Sequence, residues 1–293
     1  MGKKLIYYAF RAFIGLFRII PFWALYLISD FFYFIFAYLI KYRKSVINKN
    51  LHKCFPEKTE TEIQMITKKF YKNLCDLFLE SFKGFSMSRE ELIKRFKVYN
   101  SQVADRYFDQ GKNVIVMAGH FANWEWGSAA TAASFKHQPA VLYKPISNLL
   151  IDTYIKEKRA RFGVEMVSIN QTTRYFLKKK VKPVAYYMVA DQFAPNTEKQ
   201  KLVNFFGSKT GFLHGPENYS KQFDIPVVYI EMRRVKRGYY SMEMIDICEH
   251  PKELQENELT QIYATLMEKS ILKQPEDWMW SHKRWKRELY SFD

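Results

Sequence analysis

The stretch Asn113-Val114-Ile115-Val116-Met117-Ala118-Gly119-His120-Phe121-Ala122-Asn123-Trp124-Glu125 takes an apolar strand into small residues, then a histidine, then the start of a helix that carries an acid. The carboxyl ends of strands in an α/β sheet open on a crevice, so a strand-to-helix junction is where such folds place reactive groups. His120 sits at that mouth. A general base working near neutral pH is most often a histidine, and a carboxylate on its other ring nitrogen fixes the tautomer and stabilises the imidazolium. Glu125 is the candidate for that carboxylate, and the plainer alternative is a hydrogen-bonded structural histidine. Spacing alone does not decide, because His52 and Glu57 repeat the His-x4-Glu pattern. That second pair lies in a basic segment interrupted by Pro56 with no apolar strand leading into it, and reads as surface or packing.

Outward from this junction the chain alternates. A strand is expected near Ala140 to Tyr143, a helix over Leu149 to Phe162 stopped by Gly163, and a strand at Val164 to Ser168. A short basic helix to Lys180, a strand Val184 to Val189, a long polar loop and a strand Ile225 to Met232 follow, then a strand at Tyr239 to Ile247 and a helix from about Glu256 to Leu272. Upstream, Thr59 and Glu62 are spaced as a capping box that opens a helix with Ile63, Ile66, Phe70, Leu74 and Leu77 on one face, ending at Gly84. Ser88 and Glu91 open a shorter helix in the same way. The expectation is an α/β fold, a mixed central sheet flanked by helices.

The N-terminus departs from this pattern. From Phe22 to Ile40 the only charge is Asp30, and at ~1.5 Å per residue such a helix is long enough to reach across a hydrocarbon core. No small-residue cleavage site precedes Lys41-Tyr42-Arg43-Lys44, so a retained anchor is expected rather than a removable leader. Before Pro21, Lys4, Arg11 and Arg18 fall on nearly one face of an aromatic-rich helix, the build of an interfacial segment. Asp30 argues for a buried hairpin of a soluble domain instead. Basic residues flank the segment on both sides, so the charge rule does not orient it, and spanning and one-leaflet insertion both stay open. The expected division is membrane-anchoring helices over 1–41 and a catalytic domain over 42–293.

Composition narrows the classes. The chain has 293 residues, 48% hydrophobic, with 46 Lys+Arg against 30 Asp+Glu and a net charge of +16, which excludes a disordered chain and points to an anionic partner. Cys54, Cys75 and Cys248 are too scattered for a disulfide framework or a zinc site, so a reducing compartment and no structural metal are expected. Nucleic acid is the rival partner on charge alone, but no recognition motif of that class occurs.

Several blocks then fall in one order: Asn50-Leu51 with Phe55-Pro56-Glu57, Glu80, Gly119-His120 with Glu125, and Arg159 with Gly163. Asp191-Gln192, Phe205-Phe206-Gly207, Gly215-Pro216 and the run from Pro275 to Lys286, with Trp278, Trp280, His282, Arg284 and Trp285, complete them. With its N-terminal anchor, the chain resembles the late acyltransferases of lipid A biosynthesis, within the lysophospholipid and glycerophosphate acyltransferase superfamily. His214 departs from the pattern, standing where a small or hydroxyl residue is expected.

The resemblance implies transfer of a fatty acyl group from a thioester, on acyl carrier protein or CoA, to a hydroxyl of a lipid acceptor at the cytoplasmic side of a bacterial inner membrane. It implies no cofactor. Such a reaction needs a base for the acceptor proton and donors for the oxyanion. On this reading His120 is the base and Glu125 orients it, with His282 next in line as base. No Ser or Cys is placed as an intermediate nucleophile, which favours direct attack. Arg159 is expected to bind an acceptor phosphate, or else to be a solvated helix charge. Asp191 and Gln192 are expected either to hydrogen-bond an acceptor sugar or to cap the loop containing Asn196. Phe205 and Gly207 line an acyl tunnel or form a core turn. The basic runs Lys178 to Lys180 and Lys283 to Arg287 suit an acidic carrier or anionic headgroups. A lipid A precursor is the favoured acceptor; a lysophospholipid, amino lipid or pigment lipid is the alternative.

Overall fold

A computed structural model describes residues 2–193 and 200–286; Asn196 and Arg287 lie outside the described residues. The quoted stretch forms β2 (Val114–Ala118), every residue of which is buried, and then α7 (Trp124–Ser134). Such a run, apolar on both faces, belongs in the middle of a sheet covered on each side. Its neighbours are β5 (Val184–Val189) and β8 (Val227–Lys236), both parallel to it. The sheet continues beyond β5 to β3 (Gln138–Tyr143) and β4 (Glu165–Ser168), and beyond β8 to β9 (Tyr239–Cys248) and β1 (Phe96–Tyr99). Only β8 and β9 pair antiparallel in this seven-stranded sheet, so it is mixed, as expected.

The helices follow their sequence signals. α4 (Glu60–Gly84) starts with both halves of the capping box, the Glu62 amide on Thr59 Oγ1 and the Thr59 amide on Glu62 Oε2. α5 (Arg89–Arg95) is capped by Ser88 through the Glu91 amide. α8 (Leu149–Ala160) ends two residues before the expected Phe162. Where a polar loop was expected, β6 (Gln200–Phe205) and β7 (Ser208–Leu213) form an antiparallel hairpin, and α10 (Gly215–Phe223) follows. α9 (Thr172–Leu177) and α11 (Glu258–Lys273) complete the cover that positions the site.

At the N-terminus, α1 (Gly2–Ile19) and α2 (Phe22–Phe34), extended by a π turn over Ile35–Leu39, pack on α4. Phe22–Leu39 is long and apolar enough to cross a membrane by length and composition, and 11% of it is buried. The join is polar. Glu80, fully buried, accepts from the Tyr26, Tyr240 and Asn123 side chains at 2.9, 2.6 and 2.8 Å, tying α2, β9 and the start of α7 to α4.

Candidate active site

β2 and β5 pair in register with Ala118 opposite Val189, and His120 and Asp191 each lie two residues past that pair. Equal overshoot from adjacent parallel strands brings them side by side. Asp191 Oδ1 lies 2.7 Å from His120 Nδ1, and Oδ2 accepts from the His120 amide at 2.9 Å and from Trp278 Nε1 at 2.9 Å. Asp191 is 2% exposed and the His120 side chain 22%, so the acid is sealed beneath a ring that reaches the surface of a cleft. Gly119 permits the close approach, since a Cβ there would meet Met267 Sδ at 2.6 Å and Asp191 Oδ2 at 3.4 Å.

The turn carrying His120 is clamped from the far end of the chain. Ala122, in the left-handed region at φ 51°, donates its amide to the Asp277 carbonyl at 2.9 Å. Met279 N–H reaches the His120 carbonyl at 3.2 Å, and Phe121 bridges Trp278. Strained backbone persists where its surroundings over-determine it, as here. Asn123 then caps α7, accepting from the Trp126 amide at 3.0 Å.

The electrostatics are those of an ionised pair. Burial on its own would push Asp191 up, but the imidazole, its hydrogen bond, the Trp278 indole and the His120 amide hold it down at about 2. Burial pushes His120 down; the Asp191 charge and hydrogen bond, with Glu125 adding to them, outweigh this and raise it above the ordinary imidazole value. With Nδ1–H on Asp191, Nε2 is left for the cavity, and Trp124 packs edge-on against the ring at 5.2 Å.

That cavity measures about 840 Å³, within the range of small-molecule sites. α7 residues Trp124, Gly127 and Ser128 and strand residues Ile230, Met232 and Met242 form one wall; Thr172, Thr173, Pro216 and Tyr219 form another. His120, Glu125, Arg159, Gln192 and His214 all face it.

The geometry corrects several expectations. The orienting carboxylate on His120 is Asp191, because register places it there. Glu125 instead pairs with Arg159 at 2.5 Å across α7 and α8, both about a quarter exposed in the cavity wall. Arg159 is therefore not a solvated helix charge. Asp191 is buried and already takes three donors from within the chain, the His120 ring, the His120 amide and the Trp278 indole. Phe205 and Gly207 are not cavity residues: Phe205 is buried among Phe206, Phe212, Trp278 and Trp285, and Gly207 turns the β6–β7 hairpin at φ 67°. His282 accepts the Phe193 amide on Nε2 at 3.0 Å, which makes it an anchor for the turn after Asp191. His52 is exposed and pairs with Glu60 rather than Glu57. Trp278 is the residue that sequence reasoning passed over, recognised only as part of the closing block.

Comparison with known proteins bears on this site. The family model of the bacterial lipid A biosynthesis acyltransferases matches residues 2–287. A lipid A biosynthesis acyltransferase of Haemophilus influenzae is 25% identical over 70% of this chain and 64% of its own length. A lipid A biosynthesis palmitoleoyltransferase and a lauroyltransferase of Escherichia coli are 23% and 22% identical, each over 84% of this chain and 80% of their own length. With the family model spanning both the N-terminal helices and the strand ends that carry His120 and Asp191, this chain belongs to the bacterial lipid A biosynthesis acyltransferases.

Proposed function

We propose that the protein moves a fatty acyl group from an acyl carrier protein thioester to a hydroxyl of a lipid A precursor, with residues 1–41 holding a catalytic domain over 42–293 to the cytoplasmic face of a bacterial inner membrane. The observation that carries the chemistry is the His120–Asp191 pair at the mouth of a cavity large enough for lipid chains. Asp191 keeps the proton on Nδ1, so Nε2 takes the proton of the acceptor hydroxyl as its oxygen attacks the thioester carbonyl. The tetrahedral intermediate then collapses, the C–S bond breaks, and the imidazolium returns the proton to the departing thiolate. Asp191 stabilises the transient cation; it stays ionised throughout.

Glu125 and Arg159 divide the wall differently. A guanidinium fork matches phosphate geometry, so Arg159 is positioned to take an acceptor phosphate, with Glu125 holding it in place from the opposite helix. The rim of the cavity supports a lipid acceptor. Lys144 lines it, and four residues on, Asn148 bonds the Lys3 carbonyl of α1 at 3.1 Å beside exposed Ile146 and Leu149.

The test is deletion of the gene followed by mass spectrometry of lipid A, with the purified enzyme assayed on acyl carrier protein and CoA thioesters. Loss of one acyl chain from lipid A, restored by the wild-type gene and not by His120→Ala, is expected. Unchanged lipid A in the deletion strain overturns the acceptor, and turnover in His120→Ala overturns the base.

A further inference from the structure

The apolar segment Phe22–Leu39 is tied to the globular domain through the residues that flank it and through its middle, by α4 and by the turn between β8 and β9. At its start, Lys83 of α4 donates to the Phe17 and Ile20 carbonyls, each at 2.7 Å. One turn in, Tyr26 reaches Glu80 at 2.9 Å, and Ser29, fully buried, donates to Asp76 at 2.6 Å. At the midpoint, Asp30 takes a bidentate bond from Arg237 at 2.7 and 3.0 Å, with Lys72 at 3.8 Å. Just past the end, Tyr71 donates to the Tyr42 carbonyl at 2.7 Å. These α4 partners descend from 83 to 71 as the segment ascends, so the two helices run antiparallel along the whole apolar length.

A helix that crosses a bilayer carries its ends to opposite sides and its middle through hydrocarbon. Here that path would take Lys72, Arg237 and the neighbouring Arg234 and Lys236 of the β8–β9 hairpin into the same hydrocarbon layer. Ionised side chains at that depth are costly and are rare unless they face a protein interior or a water-filled cavity. The outward side is built for a different placement. Trp23, Leu27, Phe31, Phe34 and Tyr38 recur at three- and four-residue steps and are 47–69% exposed, one helical stripe facing away from α4. Leu5, Leu16 and Ile19 of α1 and Phe78 of α4 are exposed as well. The exposed cations Lys3, Lys4, Arg11, Arg18, Lys41 and Lys44 flank this apolar surface.

We infer that Phe22–Leu39 does not span: α1 and α2 lie in one leaflet, apolar stripe in the acyl region and flanking cations on anionic headgroups, with Asp30 and Arg237 clamping the helix to the domain. An apolar stripe with basic margins fits the surface of an anionic bilayer, in the manner of interfacial helices. The inference rests on the membrane placement proposed above and adds its topology.

The experiment uses the full-length protein, in a Cys248→Ser background that leaves the buried Cys54 and Cys75. Gly2→Cys and Lys41→Cys variants, each with one added exposed cysteine on either side of the segment, are labelled with a membrane-impermeant maleimide after binding to sealed vesicles of phosphatidylglycerol and phosphatidylcholine. Labelling of both from the protein side alone is expected, with binding that weakens as phosphatidylglycerol is withdrawn. Protection of one end until the vesicles are opened means a spanning helix and overturns the inference. Failure to bind vesicles overturns it as well. The readout does not depend on turnover, so an enzyme inactive on lipid A precursors still reports topology. As a second variant, Asp30→Leu removes the one charge a spanning helix would shed with advantage. A clamped helix loses Tm and becomes sensitive to proteolysis near Pro21, whereas a rise in Tm in vesicles contradicts the clamp.

Discussion

Asp191 spends both carboxylate oxygens on three donors, the His120 ring, the His120 amide and the Trp278 indole. An amide at this position would turn an NH2 group against one of those donors. Asp191→Asn is expected to cut kcat by ~10²–10⁴, the usual worth of a positioned base. It also has a signature in pH. The carboxylate raises the His120 pKa, and the base works when neutral, so removing the charge should move the acid limb of kcat/KM to lower pH while the plateau falls. An acid limb that stays in place would mean Asp191 does not face the titrating group. Trp278→Phe keeps an aromatic ring in edge-on contact with its neighbours and deletes one hydrogen bond, about 1 kcal/mol or a several-fold loss in kcat with KM unchanged. His120 was legible in the sequence because strand, small residues and histidine are contiguous. Its partner was not, because Asp191 is 71 residues away and meets it only through the β2–β5 register, which local spacing does not encode. The usable signal was that both residues follow an apolar strand by the same count.

At the scale of elements, a polar join ties the start of α7 to α4. Asn123 caps α7 and also donates to the buried Glu80, so Asn123→Ala removes a cap and leaves a buried carboxylate short of a donor. The expected cost is about 2–4 kcal/mol from the cap and the lost bond together, read as a lower Tm. Gly84 belongs to the same join: a Cβ there would lie 2.7 Å from Trp126 Nε1, so the glycine serves the close approach of α4 and α7. Helices with side-chain caps, such as α4 and α5, were readable to the residue because the capping chemistry is local. The β6–β7 hairpin was not. Its turn places Phe206 and Gly207 at φ 49° and 67°, and a bulky aromatic in the left-handed region is not the Asn-Gly or Asp-Gly signal of a tight hairpin. β1 escaped because four residues at a sheet edge carry too little alternation.

Over the whole molecule, the same ion pair links stability to pH from two sides. Asp191 is held well below the ordinary carboxyl value of 3.8, so its contribution is present above that value and is lost as pH falls toward about 2. His120 is raised above 6.5, so its contribution is full below that value and is lost as pH climbs through its folded pKa. The difference in Tm between wild type and His120→Gln should therefore be widest between about pH 4 and 6.5 and shrink on either side. A difference that does not vary with pH would mean the pair is not ionised. The excess of positive charge, +16 overall, acts at this scale too, favouring encounter with acidic carriers and anionic surfaces at low salt.

The clamp of residues 277–279 on the His120 turn also sets a schedule. A ribosome delivers α1, α2 and the strand bearing His120 well before Asp277, Trp278 and Met279 exist to fix Ala122 and cover Asp191. Contacts of such sequence separation form late, after loop closure over most of the chain. The nascent protein can thus have its N-terminal helices folded while the His120–Asp191 pair is still uncovered and unclamped. In refolding from denaturant, helical circular dichroism should recover ahead of acyl transfer, and the lag should lengthen when Trp278 is replaced by alanine.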